Sequence, residues 1–479
     1  MKKEWKIEFP DEGEIFIRIE YAIEFILKHF EKIDLYIPVW KKFEQEGLEN
    51  KVAHEFALFI FLVSRIENKP DNLNKLVYKT TDSISEFIRT ESNYSEILNN
   101  PQKSTRLGQI HIFLSFAGNK NDKWDALVMK MLRKGHVQNS ERILTRLFDR
   151  NWVNNLLFDQ DIFDMDEIIK YSIINSRCHP IYMSNSEMYA YTHTLMYISD
   201  FGKTEIKNSS GYNSLKNSID SSLLSQLAED NYDLLCEFLM NYTYVDNRWN
   251  SISFLSWKYI TFTWDNLGFL PGISFDKEIY DKLNDEEKCA YAFKEVYHTN
   301  LVAGILCSNI LQSKYRDDKI SIDYPQTFSL SKHELKRTIE SGKLFYNINQ
   351  ETGLENNINS ELLSQQVQAL IENKPIPHWL NMLSNIEFRI DEKNAMLIEL
   401  KMILSVRKQK FDLLIEGINQ YMIMDLDINQ TFVEAVEFIC NRQTKNGKFL
   451  IPDRYVPSLL SVLSTVHERL DNIIQQKYL

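Results

Sequence analysis

Apolar residues along this chain recur three and four positions apart. Ile19, Ala22, Ile23, Ile26, Leu27 and Phe30 predict one amphipathic helix, and Val52, Phe56, Phe59, Ile60 and Val63 predict a second. Ser83 to Arg89 begins another after a polar break. Leu107 to Phe116 is apolar nearly all round, which predicts a buried helix. Ser184-Asn-Ser-Glu187 and Ser331-Lys-His-Glu334 are capping-box sequences, in which serine and glutamate satisfy each other's free backbone donors. The first of these should open a helix of about 17 residues ending at Gly202, because glycine takes a left-handed turn at no steric cost.

Polar stretches such as 118–122 and 208–211 separate the helical segments. The loops 264–272 and 443–452 each combine a polar turn and a glycine with an apolar stub ending near proline, a form that joins paired helices in α/α toroids. No strict period of roughly 34 or 42 residues emerges, which disfavours a regular solenoid. The segment from Tyr346 to Gln365 is polar and rich in Asn and Gln, and predicts a linker or long excursion. Ile320 to Leu330 is the one short candidate for extended chain. The expected organisation is an N-terminal helical portion (1–120), a central helical body (121–345), the polar connection (346–365) and a C-terminal helical portion (366–479). The expected fold class is all-α, either α/α toroid-like or an irregular helical array, with more than half of the residues helical and almost no sheet.

Composition supports that expectation. Fourteen glycines and 11 prolines in 479 residues are few for a chain built of hairpins or βαβ units, which spend glycine on turns. Hydrophobic residues at 44% and charged residues at 25% are ordinary for a globular protein. A net charge of −12 argues against a nucleic-acid partner, whose footprint needs clustered Lys and Arg, and the basic run at 130–134 is too short to change that. The five cysteines (Cys178, Cys236, Cys289, Cys307, Cys440) are far apart, without a CxxC pair, and read as free thiols of a reducing compartment. The start of the chain lacks the apolar core of a signal peptide, and its longest early apolar run, Phe56 to Val63, is far short of the roughly 20 residues of a membrane span. A cytoplasmic location without a membrane partner is expected. No glycine-rich phosphate loop and no serine nucleophile elbow is present.

Candidate chemistry gathers at three places. On the helix opening at Ser184, Tyr189, His193, Met196, Tyr197 and Asp200 share one stripe. His193 and Asp200 lie roughly 10 Å apart along the axis, too far to share one metal shell. Asp200, in the expected last turn, faces an unfavourable helix dipole and needs a cation, turn amides or a site to accommodate it. The bland reading is a buried histidine bonded to a tyrosine, with Asp200 stabilising the turn. Asp233 and Glu237, one helical turn apart, are spaced to share a divalent ion or to act as acid and base, although carboxylates at a helix start are also ordinary dipole partners. Tyr297-His298-Thr299 leads into the small residues Ala303, Gly304, Cys307 and Ser308, which let helix backbones approach closely. Two histidines from separate helices could converge with Glu237 as a His/His/carboxylate metal set, although His298 belongs to no metal motif by spacing. His54-Glu55, Cys178-His179 and His378-Trp379 read as structural.

The order of these features resembles a family of large helical bacterial proteins of unknown function. Its T-H-x3-Y-x-[TS]-D-F-G block is matched by Thr192, His193, Tyr197, Ser199, Asp200, Phe201 and Gly202. A D-x-L-x-E-x-L block is matched by Asp233, Leu235, Glu237 and Leu239, and a Y-H-T-x-L-V block by Tyr297, His298, Thr299, Leu301 and Val302. The resemblance covers roughly residues 15 to 315 and leaves the C-terminal third aside. Members stand near genes for peptide natural products, and the resemblance implies a shared site at these positions without naming a reaction. The first expectation is a tailoring enzyme, or enzyme partner, acting on a peptide or small metabolite. The expected catalytic residues are His193, Asp200, Glu237 and His298, with Tyr189, Tyr197, Tyr297 and Asp233 holding substrate and a divalent metal as a possible cofactor. The rival expectation is a non-catalytic helical scaffold that binds a peptide or a partner protein.

Overall fold

A computed structural model of the chain describes residues 7, 9–43, 47–133, 143–176, 178–208, 212–246, 248–314, 319–322, 330–348, 358–371, 378–386 and 388–477. The fold is all-α: 76% of the described residues are helical, in 22 α-helices. Among the described residues only Glu205–Asn208 and Lys319–Ile322 are strands, paired in parallel with Ile206 opposite Ile320. The extended reading of Ile320 to Leu330 holds for its first residues, and 323–329 lie outside the described residues. The loop reading of 208–211 likewise falls largely outside them.

The hub is the 28-residue helix Asp285–Gln312, about 42 Å long at 1.5 Å per residue. It packs against Glu12–Phe30, Leu48–Ser64 and Tyr232–Val245. Glu12–Phe30 buries Ile19, Ala22, Ile23, Ile26, Leu27 and Phe30, the stripe set by its 3–4 spacing. Tyr232–Val245 has all 14 residues buried. A helix sunk on every side has no solvent face for its polar groups, so Asp233 and Glu237 must be answered from within the protein.

Close approach at the hub depends on Gly304. A Cβ there would stand 2.3 Å from Cζ of Phe59 on Leu48–Ser64, and Phe59 is fully buried. The small-residue segment after His298 thus brings two helices together, as its composition predicts.

Helix ends explain a difference in the His193 segment. The Ser184 capping box forms, with Glu187 N–H to Ser184 Oγ at 3.4 Å and Ser184 N–H to Glu187 Oε2 at 2.7 Å. The helix then stops at Ile198, after 14 residues. Asp200, Phe201 and Gly202 all have positive φ (49°, 53° and 86°), so Asp200 lies in a turn past the helix and not in its last turn. Two non-glycine residues in that region carry a conformational cost that side-chain contacts must offset. Phe201 packs on Trp152 with ring centroids 4.9 Å apart, and Asp200 finds charged partners.

Of the connection expected at 346–365, residues 349–357 lie outside the described residues, and Ser360–Ile371 is helix with Leu363, Val367 and Leu370 buried. Buried side chains from 1–120, 121–345 and 366–479 join one continuous apolar cluster. A polar joint ties the C-terminal helices to the body. Glu399 accepts from Asn429 Nδ2 at 2.7 Å and from Thr431 Oγ1 at 3.4 Å. Thr431 Oγ1 meets Ser221 Oγ at 2.8 Å and His179 Nε2 at 3.1 Å. Burial, then the charge of Asp220, pushes the Glu399 carboxyl up to about 7.

Two outcomes follow from this architecture. Gly304→Ala should cost about 1–3 kcal/mol by overpacking, read from the denaturant midpoint at unchanged slope. A variant as stable as the parent would show that Phe59 has room to move. For Glu399, the folded state keeps its proton to higher pH than the unfolded chain, so native stability falls as pH rises from about 4.5 to about 7. Glu399→Gln mimics the protonated form and should melt several degrees above the parent at pH 8, with the gain shrinking toward pH 5. An equal offset at both pH values would remove Glu399 as the titrating group.

Candidate functional site

Four helices deliver the site. Leu48–Ser64 brings Glu55, Asn185–Ile198 brings Tyr189 and His193, Tyr232–Val245 brings Asp233 and Glu237, and Asp285–Gln312 brings His298. They border a cavity of about 710 Å³ whose lining includes Glu55, Tyr189, His193, Tyr197, Glu237 and His298. That volume falls within the range of small-molecule sites, roughly 300–1,000 Å³. Lys51, Arg106, Arg146 and Arg150 also line the cavity, together with Asp149, which stands 3.7 Å from Arg146.

His298 is the centre of the polar network. Its Nδ1 lies 2.9 Å from Glu55 Oε2, and its Nε2 lies 3.6 Å from Asp233 Oδ2. Asp233 Oδ2 accepts the Tyr189 hydroxyl at 2.6 Å. Glu237, 1% exposed, takes the Thr192 hydroxyl on Oε2 and faces His193 Nε2 from Oε1 at 3.6 Å. Lys51 Nζ stands 3.7 Å from Glu55 Oε1. Asp233, Glu237 and His298 each offer one donor atom, all within 4.8 Å of one another, a group among the described residues that could hold a metal ion.

Electrostatics pull these groups apart. Burial works against charge on His298, yet the carboxylates of Asp233 and Glu55 win and hold the imidazole up to about 10. Burial opposes charge on Glu55 too, but His298 brings its carboxyl down to about 2. Burial, then the Asp233 charge, pushes the Glu237 carboxyl up to about 8. Burial, then His298, takes His193 down to about 4. At neutral pH the cluster therefore holds a cationic His298 between carboxylates, a neutral His193 and a protonated Glu237.

Of the expected residues, His193, Glu237, His298, Tyr189 and Asp233 come together. Asp233 sits beneath the cavity wall, 8% exposed, behind Tyr189 and His298. Tyr197 lines the cavity and packs against Trp152 with centroids 5.7 Å apart. Tyr297 is buried, its ring 5.6 Å from Phe293 and 6.1 Å from His298, and burial, then the Glu55 charge, pushes its hydroxyl up. Asp200 stands apart: Arg65 grips both its oxygens at 2.9 and 2.7 Å, and Trp152 Nε1 donates to it at 2.6 Å. It sits in the turn after Asn185–Ile198.

Glu55 and His54 are residues that the sequence reading took as structural. Both line the cavity, and His54 Nε2 meets Gln109 Oε1 at 2.9 Å. The available signal was a charged residue set among Val52, Ala53, Phe56 and Ala57, where an apolar helix face should continue.

Asp200→Ala should lower stability by roughly 1.5–3 kcal/mol, since it strands Arg65. It should leave ligand binding in the cavity within about twofold once the protein is folded; a large loss of binding at full folding would return Asp200 to the site.

No curated protein and no solved structure matches this chain. The family model described as Domain of unknown function (DUF6895) matches residues 20–308, a span that contains every residue of the cavity's polar network. Having this match over more than half its length, the chain belongs to that family of uncharacterised proteins.

Proposed function

We propose that the chain is an enzyme acting on a small polar metabolite, or on the end of a peptide, held in the cavity between these helices. The observation that carries this reading is convergence: Glu55, His193, Glu237 and His298 come from four helices far apart in sequence and meet at one open cavity. A protein needing only a packed core gains nothing from assembling this many ionisable groups, each costly to desolvate. His193, 39% exposed at its side chain, is the group placed to carry a proton to or from a bound molecule. Glu237 and His298 hold or polarise the reacting atoms, while Glu55 and Tyr189 fix the orientation of their partners.

The substrate class draws on two supports. The cationic side chains of Lys51, Arg106, Arg146 and Arg150 in the lining suit a carboxylate or phosphate. The family resemblance favours tailoring of a peptide natural product or its precursor. Among the described residues no helix is long and apolar enough to cross a membrane, which agrees with a ligand taken from solution.

The test is turnover. Purified protein is incubated with a metabolite extract of the organism that encodes it, and the mixture is compared by mass spectrometry with His193→Ala and His298→Asn. The parent should deplete at least one species, with its rate reduced about 10²–10⁴-fold in both variants at unchanged helical circular dichroism. Identical profiles for parent and variants would overturn the enzyme reading. If a ligand nevertheless bound tightly, the cavity would be a holding site and the protein a scaffold.

A further inference from the structure

We infer that Asp233, Glu237 and His298 bind one divalent first-row transition metal at the base of the cavity, with an open coordination position facing His193. The donor set is two carboxylates and one imidazole, which suits manganese, iron or zinc better than calcium. A four-coordinate ion with bonds of about 2.0–2.2 Å holds its donors about 3.4 Å apart. His298 Nε2 and Asp233 Oδ2 are already 3.6 Å apart, and all three donors lie within 4.8 Å of one another. Small rotations of side chains on packed helices would close the remainder.

Three further features belong to a metal site more than to a simple ion pair. His298 turns Nδ1 to the Glu55 carboxylate at 2.9 Å, leaving Nε2 pointed at the acidic pair. That carboxylate–histidine arrangement orients metal-bound imidazoles and raises their basicity. Both proposed carboxylate ligands are steadied by hydroxyls, Asp233 at Oδ2 by Tyr189 and Glu237 at Oε2 by Thr192. Finally, Asp233 is 8% exposed and keeps Oδ1 buried without a hydrogen-bond partner, an unmet acceptor in the core of the cluster.

His193 is left outside the three donors. Its Nε2 faces Glu237 Oε1 at 3.6 Å. A ring nitrogen in that place adjoins whatever fills the open position, whether water or substrate. Three protein donors beside an open position is the pattern of catalytic metal sites; structural sites close all four.

Metal binding is read without any substrate, so its failure leaves the acid–base reading standing, and absence of turnover leaves the metal result standing. Untagged full-length protein is stripped with a chelator, then titrated with Zn²⁺, Mn²⁺ and Ca²⁺ by calorimetry. Elemental analysis follows desalting. About one Zn²⁺ or Mn²⁺ per chain is expected. His298→Asn and Glu237→Gln should each reduce it to under about 0.1 per chain, whereas Glu55→Gln should weaken affinity about 10–100-fold at unchanged stoichiometry. Glu399→Gln, in the distant C-terminal joint, serves as the control and should bind as the parent does. X-ray absorption of the zinc-loaded parent provides a readout that needs no variant, and should show a nitrogen and oxygen shell with one imidazole. A chain that takes up no transition metal, prefers calcium, retains metal in both ligand variants, or shows sulfur in the shell overturns the assignment.

Discussion

The contact of Leu48–Ser64 with Asp285–Gln312 is the constraint on which the rest of the site depends. Gly304 removes the side chain that would keep these helices apart, and Phe59 fills the space it leaves. On the long helix His298 lies six residues before Gly304, and on the neighbouring helix Glu55 lies one turn before Phe59. The 2.9 Å bond between them is thus fixed by apolar packing nearby, not by the attraction of two charges alone. Attraction of that kind would scarcely repay the desolvation of both groups, so the packed helices must hold them in place.

From that fixed point the polar network is forced. His298, pinned by Glu55 at Nδ1, can only aim Nε2 at Tyr232–Val245, the helix with no exposed face. Asp233 and Glu237 lie one turn apart on the side it meets. Asn185–Ile198 closes the arrangement by supplying Tyr189, Thr192 and His193 within one turn. Each carboxylate therefore has a neutral hydroxyl on one oxygen and an imidazole facing it. Unequal burial and charge then separate the acidities: Glu55 is held ionised while Glu237 retains its proton to about 8.

Periodicity made the helices legible, because burying one apolar face demands it, and the stripe Ile19 to Phe30 reappears in the structure without change. Local chemistry was equally readable where it acts within one turn: the Ser184 capping box and the close approach at Gly304 both follow from residues a few positions apart. Family blocks brought His193, Glu237 and His298 forward as a group. The partner of His298 was not legible, because Glu55 is 243 positions away and no local pattern encodes that distance. The turn that carries Asp200 was not legible for the converse reason. Its block adjoins His193, but Arg65, 135 residues distant, draws Asp200 into a turn on the far side of the helix end.

The C-terminal third shows how a polar joint can serve a distant site. It supplies none of the residues named in the cavity network, yet its helices are bonded to Tyr212–Glu229 through Thr431 and Arg407. Tyr212–Glu229 in turn packs along Tyr232–Val245, the helix that carries Asp233 and Glu237. A helix bearing two carboxylates has reason to move toward water, and burying it completely requires packing on every side. On the outer side that packing is provided by Tyr212–Glu229, braced from behind by Ile390–Arg407 and Gln430–Cys440. The C-terminal helices thus act on the site by confinement: they help keep the charged helix dry, and dryness is the largest cause of the raised Glu237 carboxyl.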